Sequence, residues 1–197
     1  MAKPNVISRQ ELLQSARDVI ASHGIQALTL KAVATGAGVT QGTVYYHFRN
    51  KEQLLLELIK EMCQDSWKNL LDDAGQGEEI LEKALASARS RCTHDSPYHR
   101  VYFSLIAAGI YQETLGKELA SLQELENKAL GMAVKRFAKN EELVDIPAER
   151  WATLFNAWID GLALQALLSP SFDADQAYAD LAQVIRYLVG RKGEEQT

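Results

Sequence analysis

The sequence predicts an all-α fold: a small N-terminal helical head followed by a larger helical body. Two observations carry this. Apolar residues recur at helical spacing along nearly all of the 197 residues, and no alternating apolar–polar run of useful length occurs. The four prolines punctuate the periodic stretches and do not interrupt them. Element by element, Ser8 with Glu11 has the spacing of a capping box, and Leu12, Ala16, Val19, Ile20 and His23 then recur until Gly24 stops the run. Asn50 with Gln53 is a second capping-box pair opening a long helix, with Leu54, Leu55, Leu58, Ile59, Met62, Trp67, Leu70 and Leu71 as its stripe and Gly75 and Gly77 at its end. Ile80, Leu81, Ala84, Leu85 and Ala88 mark the next. Ser96 caps a helix with Pro97 in its first position and a stripe of Val101, Tyr102, Leu105 and Ile106. Leu115 to Phe137 trace a long helix, Pro147 opens one that runs to about Leu168, and Asp173 with Gln176 caps the last, which ends near Gly190.

Composition narrows the function classes. Apolar residues make up 47% and charged residues 24%, which excludes a disordered chain. Two cysteines, Cys63 and Cys92, exclude a disulfide framework and a four-cysteine zinc site, and both are expected as small buried apolar residues. No apolar run approaches the roughly 18 residues of a membrane span, and the N-terminus lacks a signal-peptide apolar stretch, so a cytoplasmic protein without a membrane partner is expected. Charge is uneven. Residues 1–51 hold six basic side chains against Glu11 and Asp18, a net of +4, while residues 52–197 hold 15 basic and 24 acidic, a net of −9. A basic head on an acidic body suits a head that meets an anion, although charge alone is weak evidence.

The stretch from Thr29 to Lys51 is more specific. Thr29 precedes a short helix, Leu30 to Ala37, and Thr40 precedes another, Gln41 to His47. Gly38 and Val39 form the turn between them, which is the pattern of a helix-turn-helix. Ala34 is small enough for close helix approach, Gly38 permits a positive φ, and Val44 faces into the corner. The second helix is crowded with hydroxyl, amide, phenol and imidazole groups: Thr40, Gln41, Gly42, Thr43, Tyr45, Tyr46 and His47. Such groups donate to phosphates and to base edges in a major groove. Gly42 costs about 1 kcal/mol inside a helix relative to Ala, a cost that close backbone approach to DNA would offset. Lys51 opens the following helix, where its ammonium and the free N–H groups suit a phosphate. Phe48 is expected in the core of the head.

The run LTLKAVATGAGVTQGTVYYHFRNKEQLLLELI, residues 28–59, resembles the DNA-binding domain of the tetracycline-repressor (TetR) family. The resemblance lies in Thr29 followed by Val33-Ala34, in Gly38-Val39-Thr40 through Gly42, Val44-Tyr45 and His47-Phe48, and in Lys51-Glu52 with Leu54-Leu55. It covers residues 8 to about 65, one third of the chain, and residues 158–173 resemble a dimer-side helix of the same family. The resemblance implies a head over residues 1–50 and a linking helix over about 51–73. It also implies an all-helical body over 74–197 that dimerises and holds a small-molecule effector. It makes Thr29, Thr40, Gln41, Gly42, Thr43, Tyr45, Tyr46, His47 and Lys51 the expected DNA contacts, with Arg49 also serving a phosphate, and operator DNA the expected partner.

Residues 148–168 are apolar around most of the helix, so burial on more than one side is expected. A homodimer face built from Ala157, Gly161, Leu164, Leu181, Val184 and Ile185 would supply one of those sides. Asn156 and Asp160, four apart, are read as a hydrogen-bonded pair that fixes register, in preference to an effector contact. Trp67, Tyr102, Phe103, Ile106, Phe155 and Trp158 are the candidate effector pocket, although aromatic stripes of this kind are more often only core. His94 and His99 flank Asp95. Their place near a loop favours exposed polar residues over metal ligands, and no metal or other cofactor is expected. No nucleophile–base pair or glycine-rich phosphate loop occurs, so the expectation is a ligand-responsive regulator of transcription, a repressor, and not an enzyme. The alternative is a helical small-molecule-binding protein or enzyme whose N-terminal hairpin does not read DNA.

Overall fold

The computed structural model describes residues 7–71, 77–137 and 146–190, of which 63–71 and 189–190 as backbone only. Among the described residues the elements are helices: α1 (Arg9–His23), a single 3-10 turn (Ile25–Ala27), α2 (Leu30–Gly36), α3 (Gln41–His47), α4 (Lys51–Leu71), α5 (Glu78–Arg91), α6 (Pro97–Tyr111), α7 (Glu113–Phe137), α8 (Ala148–Leu168) and α9 (Ala174–Gly190). The capping residues act as their spacing predicts. Ser8 and Glu11 form the reciprocal capping box, Asp173 Oδ1 accepts from the Gln176 N–H at 2.9 Å, and Ser96 Oγ accepts from the His99 N–H at 3.3 Å. At α4 the box is half formed. Asn50 accepts from the Gln53 N–H at 2.8 Å, but the Gln53 side chain accepts from the Arg49 N–H, one residue before the expected partner.

The chain divides into two compact units. One comprises residues 1–62 and 100–122, the other residues 63–99 and 123–197. This differs from the head-and-body boundary at residue 50, since the first turns of α4 and most of α6 group with the head. The reason is core size. Three short helices bury too little apolar surface by themselves, and Leu54, Leu55, Leu58, Val101, Leu105 and Leu115, each at most 2% exposed, add to Leu12, Ile20, Leu28, Val33, Val44 and Phe48 in that unit. The second unit has its own core of Ile80, Leu81, Leu130, Val134, Phe137, Trp151, Ala152, Phe155 and Ile185. There Trp151 stacks on Phe155 with ring centroids 5.2 Å apart.

Candidate nucleic-acid interface

The head is built around one turn. Gly38 adopts φ +65°, a left-handed value that a side chain would strain. With it the Val39 N–H donates to the Ala34 carbonyl at 2.9 Å and the chain reverses from α2 into α3. Ala34 and Val44 are buried on the inner side of this corner, and the buried Ser15 hydroxyl donates to the Val33 carbonyl at 3.0 Å, tying α1 to α2. The threonines cap both helices: Thr29 accepts from the Ala32 N–H at 3.0 Å and Thr40 from the Thr43 N–H at 3.2 Å.

With Val44 turned inward, the rest of α3 faces outward. Tyr46 is 74% exposed and Tyr45 51%, both large apolar-bodied side chains that a free protein surface gains nothing by presenting. Thr29, Thr40, Gln41 and Gly42 are exposed, and Thr43 and His47 are half-buried. The structure therefore brings Thr40, Gln41, Gly42, Thr43, Tyr45, Tyr46 and His47 onto one short helix and its cap, with Thr29 capping the helix before it. Gly42 has open space in place of a side chain, the nearest group being Thr40 Oγ1 at 3.6 Å from where a Cβ would stand. Its backbone is open to a ligand. Arg49 lays its guanidinium over the Tyr45 ring, 5.3 Å from the centroid, so a cation is held beside the exposed phenol.

Lys51 is placed differently from the other candidates. Its Nζ donates to the Ile25 carbonyl at 2.8 Å, a part-buried bond that ties the start of α4 to the turn after α1. Burial holds the ammonium below the usual lysine value.

In the second unit, α8 carries two faces. Trp151, Ala152, Phe155, Ala163 and Ala166 point into the core, while Leu154, Ala157, Leu164 and Leu168 are exposed along a stripe that includes Gly161, which has open space around it. On α9, Val184 and Tyr187 are exposed. Two of the six expected dimer-face residues are corrected here. Ile185 is 3% exposed and belongs to the core, and Leu181 is partly buried against that core. The apolar stripe of α9 is wide enough to serve two sides, and these residues lie on the inner one.

Leu181 and Ile185 also line a cavity inside this unit. α5 contributes Ile80, Leu81, Ala84 and Leu85, α7 contributes Leu130, Ala133, Val134 and Phe137, and α8 contributes Phe155 and Ile159. It holds about 50 Å³, and its walls are wholly apolar. Of the expected pocket residues only Phe155 lines it. Trp158 packs against the same core cluster, Tyr102, Phe103 and Ile106 belong to the other unit, and the Trp67 side chain lies outside the described residues. The α5 stripe was visible in the sequence. That Ala84 faces a space was not.

Two further expectations change. Asn156 donates to Asn127 Oδ1 at 3.2 Å, a partner on α7 and not Asp160. His99 is buried, at 5% exposure. Its Nδ1–H donates to the Arg91 carbonyl at 2.9 Å, and burial pushes the imidazole down to about 4 from an ordinary 6.5. His94 is exposed as expected, and no group of three metal-ligating side chains occurs among the described residues. Cys92 is buried, as expected; the Cys63 side chain lies outside the described residues. Among the described residues no helix is long and apolar enough to cross a membrane.

A helix-turn-helix head with an exposed polar face on its second helix, followed by a helical unit with its own cavity, defines a class of DNA-binding regulators. The chain belongs to the tetR family of bacterial regulatory proteins. That family's model matches residues 12–58, and the model described as BetI-type transcriptional repressor, C-terminal, matches residues 77–190. Among relatives, the repressor AcnR of Corynebacterium efficiens is 39% identical over 183 residues, covering 90% of this chain and 92% of that protein. The probable acrEF/envCD operon repressor of Escherichia coli (strain K12) is 29% identical over 135 residues, covering 60% of each chain. The chain thus matches somewhat under two thirds of the length of that relative. A transcriptional regulator from Saccharomonospora viridis, solved in complex with choline, shares the fold with a TM-score of 0.77 at 20% identity, covering 90% of this chain and 95% of that one. Members of this family are transcriptional regulators, not enzymes.

Proposed function

We propose that this protein is a transcriptional repressor that binds a near-palindromic operator as a homodimer and is released by a small-molecule effector. The observation that carries the reading is the outward face of α3, where Tyr45, Tyr46, Gln41 and Thr40 are exposed on an element fixed from behind by Gly38 and Val44. Thr40, Gln41, Thr43, Tyr45, Tyr46 and His47 supply donors and acceptors for base edges and phosphates, Thr29 a hydroxyl for the backbone, and Gly42 room for close approach. Lys51 has three N–H donors. One holds Ile25, leaving two that can meet a phosphate. The exposed stripe of Leu154, Ala157, Gly161, Leu164 and Leu168 on α8, with Val184 on α9, supports a two-fold four-helix interface, and repeated heads read half-sites about one DNA turn apart or multiples of it. Named relatives are repressors, and one protein of this fold is solved with choline bound. A DNA-binding role places the protein in the cytoplasm.

The test is an anisotropy titration of the protein against DNA from upstream of its own gene, over a range of salt. Specific binding that weakens steeply with salt, with a stoichiometry of two chains per site, is expected. Binding no tighter than to unrelated DNA of equal length would overturn the reading.

A further inference from the structure

We infer that the cavity among α5, α7, α8 and α9 is a binding site for the unsubstituted alkyl end of a ligand. This rests on the reading that the protein answers to an effector and names the chemical group that would be recognised. Two properties of the cavity decide its chemistry. No polar group lines it, so a hydroxyl, amide or charge carried inside would lose its hydration without a partner. That excludes sugars, nucleotides and small polycarboxylates as the inserted part. Its size decides the rest. About 50 Å³ is roughly a third of the space in which an apolar cavity holds benzene, which fits the end of a carbon chain and not a ring.

The space arises from the sequence. Ala133 on α7 and Ala84 on α5 stand where the neighbouring wall positions carry Leu, Ile or Val, and the two short side chains leave the gap unfilled. Polar ties hold the surrounding helices from outside: Arg186 of α9 pairs with Glu78, and Arg89 of α5 with Asp175. Protein interiors otherwise keep few voids larger than a water molecule. An apolar gap beside helices α5 and α9 that are tied together in this way is preorganised for hydrocarbon.

The test uses the full chain labelled with 13C at Ile, Leu and Val methyls, titrated with 1-hexanol and separately with 1,6-hexanediol. The two probes differ by one terminal hydroxyl. Hexanol should shift the methyl signals of Ile80, Val134, Ile159 and Ile185, and the diol should bind there roughly tenfold more weakly or worse, because one of its hydroxyls must enter hydrocarbon. Ala133→Leu should abolish the shifts by filling the space. Ala84→Leu, at a half-buried position that tolerates added bulk, should do the same should the first variant fail to fold. Equal affinity for the two probes, shifts at other methyls, or undiminished shifts in a folded variant would overturn the assignment. The repressor reading fails separately: methyl shifts in a protein that binds no operator leave the cavity standing and sink the repressor, while operator binding without methyl shifts sinks the cavity alone.

Discussion

Replacing Lys51 with Met separates two roles that one ammonium can hold. In the free protein its Nζ donates to the Ile25 carbonyl at 2.8 Å, across 26 residues of sequence. A hydrogen bond to a charged group contributes about 1.5–3 kcal/mol. The same burial that holds this ammonium below the usual lysine value opposes that gain, which puts the net contribution at the low end of that range or below it. Met keeps the apolar stem and removes only the donor. Melting of the variant, followed by circular dichroism, should fall by roughly 2–8 °C. In the proposed complex the remaining two donors would reach a phosphate. The slope of log affinity against log salt should therefore fall by roughly 0.9 per half-site, and by the same amount on every sequence, since a phosphate carries no sequence information. An unchanged melting temperature would refute the tether. An unchanged salt slope, with melting lowered, would show that Lys51 braces the head and touches no phosphate.

Tyr46→Ala should leave stability within about 0.5 kcal/mol, because the side chain is 74% exposed, yet weaken operator binding by roughly fivefold or more in an anisotropy titration. Equal operator affinity would remove Tyr46 from the reading face. Leu164→Glu should yield monomers in sedimentation velocity, since a charge buried in an interface without a partner is expensive; a wild-type monomer at micromolar concentration would contradict the proposed face. His99 gives a pH signature. Its folded value, about 4, lies below the ordinary 6.5, so the stability it confers is complete above about 6.5 and is lost as pH falls towards 4. His99→Gln should flatten that part of the stability–pH curve in denaturant titrations, and an unaltered curve would mean that another group carries it.

What was legible in the sequence was local. The Ser8–Glu11 box, the Gly38 turn and the threonine caps of α2 and α3 each close within five residues, so spacing alone specifies the partners. The outward face of α3 follows from the same turn, because Val44 has to point inward. What was missed depends on contacts distant in the chain. Lys51 meets Ile25, and Asn156 meets Asn127 and not its neighbour four residues on. His99 lies near a loop, which favours exposure, yet the Arg91 carbonyl and Ser96 hydroxyl that satisfy it make burial possible. Ile185 and Val184 are adjacent on one apolar helix, yet the first is buried and the second exposed, a division that periodicity cannot assign along a broad apolar stripe. A cavity is harder still, for it is made of atoms that four helices fail to supply.

The position of the cavity bears on how a ligand there would reach the DNA. α7 contributes Leu130, Ala133, Val134 and Phe137 to its wall, and the same helix earlier buries Leu115, Leu119 and Leu122 in the unit that holds the head. One continuous helix therefore ends in both cores. A ligand larger than the chain end that the gap holds would be accommodated by movement of α7 or of its neighbours α5, α8 and α9, because close-packed interiors shift by whole elements more readily than they compress. If α7 gives way, the element displaced is the helix that also supplies Leu115, Leu119 and Leu122 to the other unit. If α8 and α9 give way, their outer faces, with Leu164 and Val184, move instead, and the effect falls on assembly. In either case the ligand acts only through a difference in affinity between two arrangements, and operator DNA has to weaken ligand binding by the same factor that ligand weakens DNA binding. The two routes part on protein concentration: control through α8 and α9 makes ligand affinity depend on how much dimer is present, and control through α7 does not.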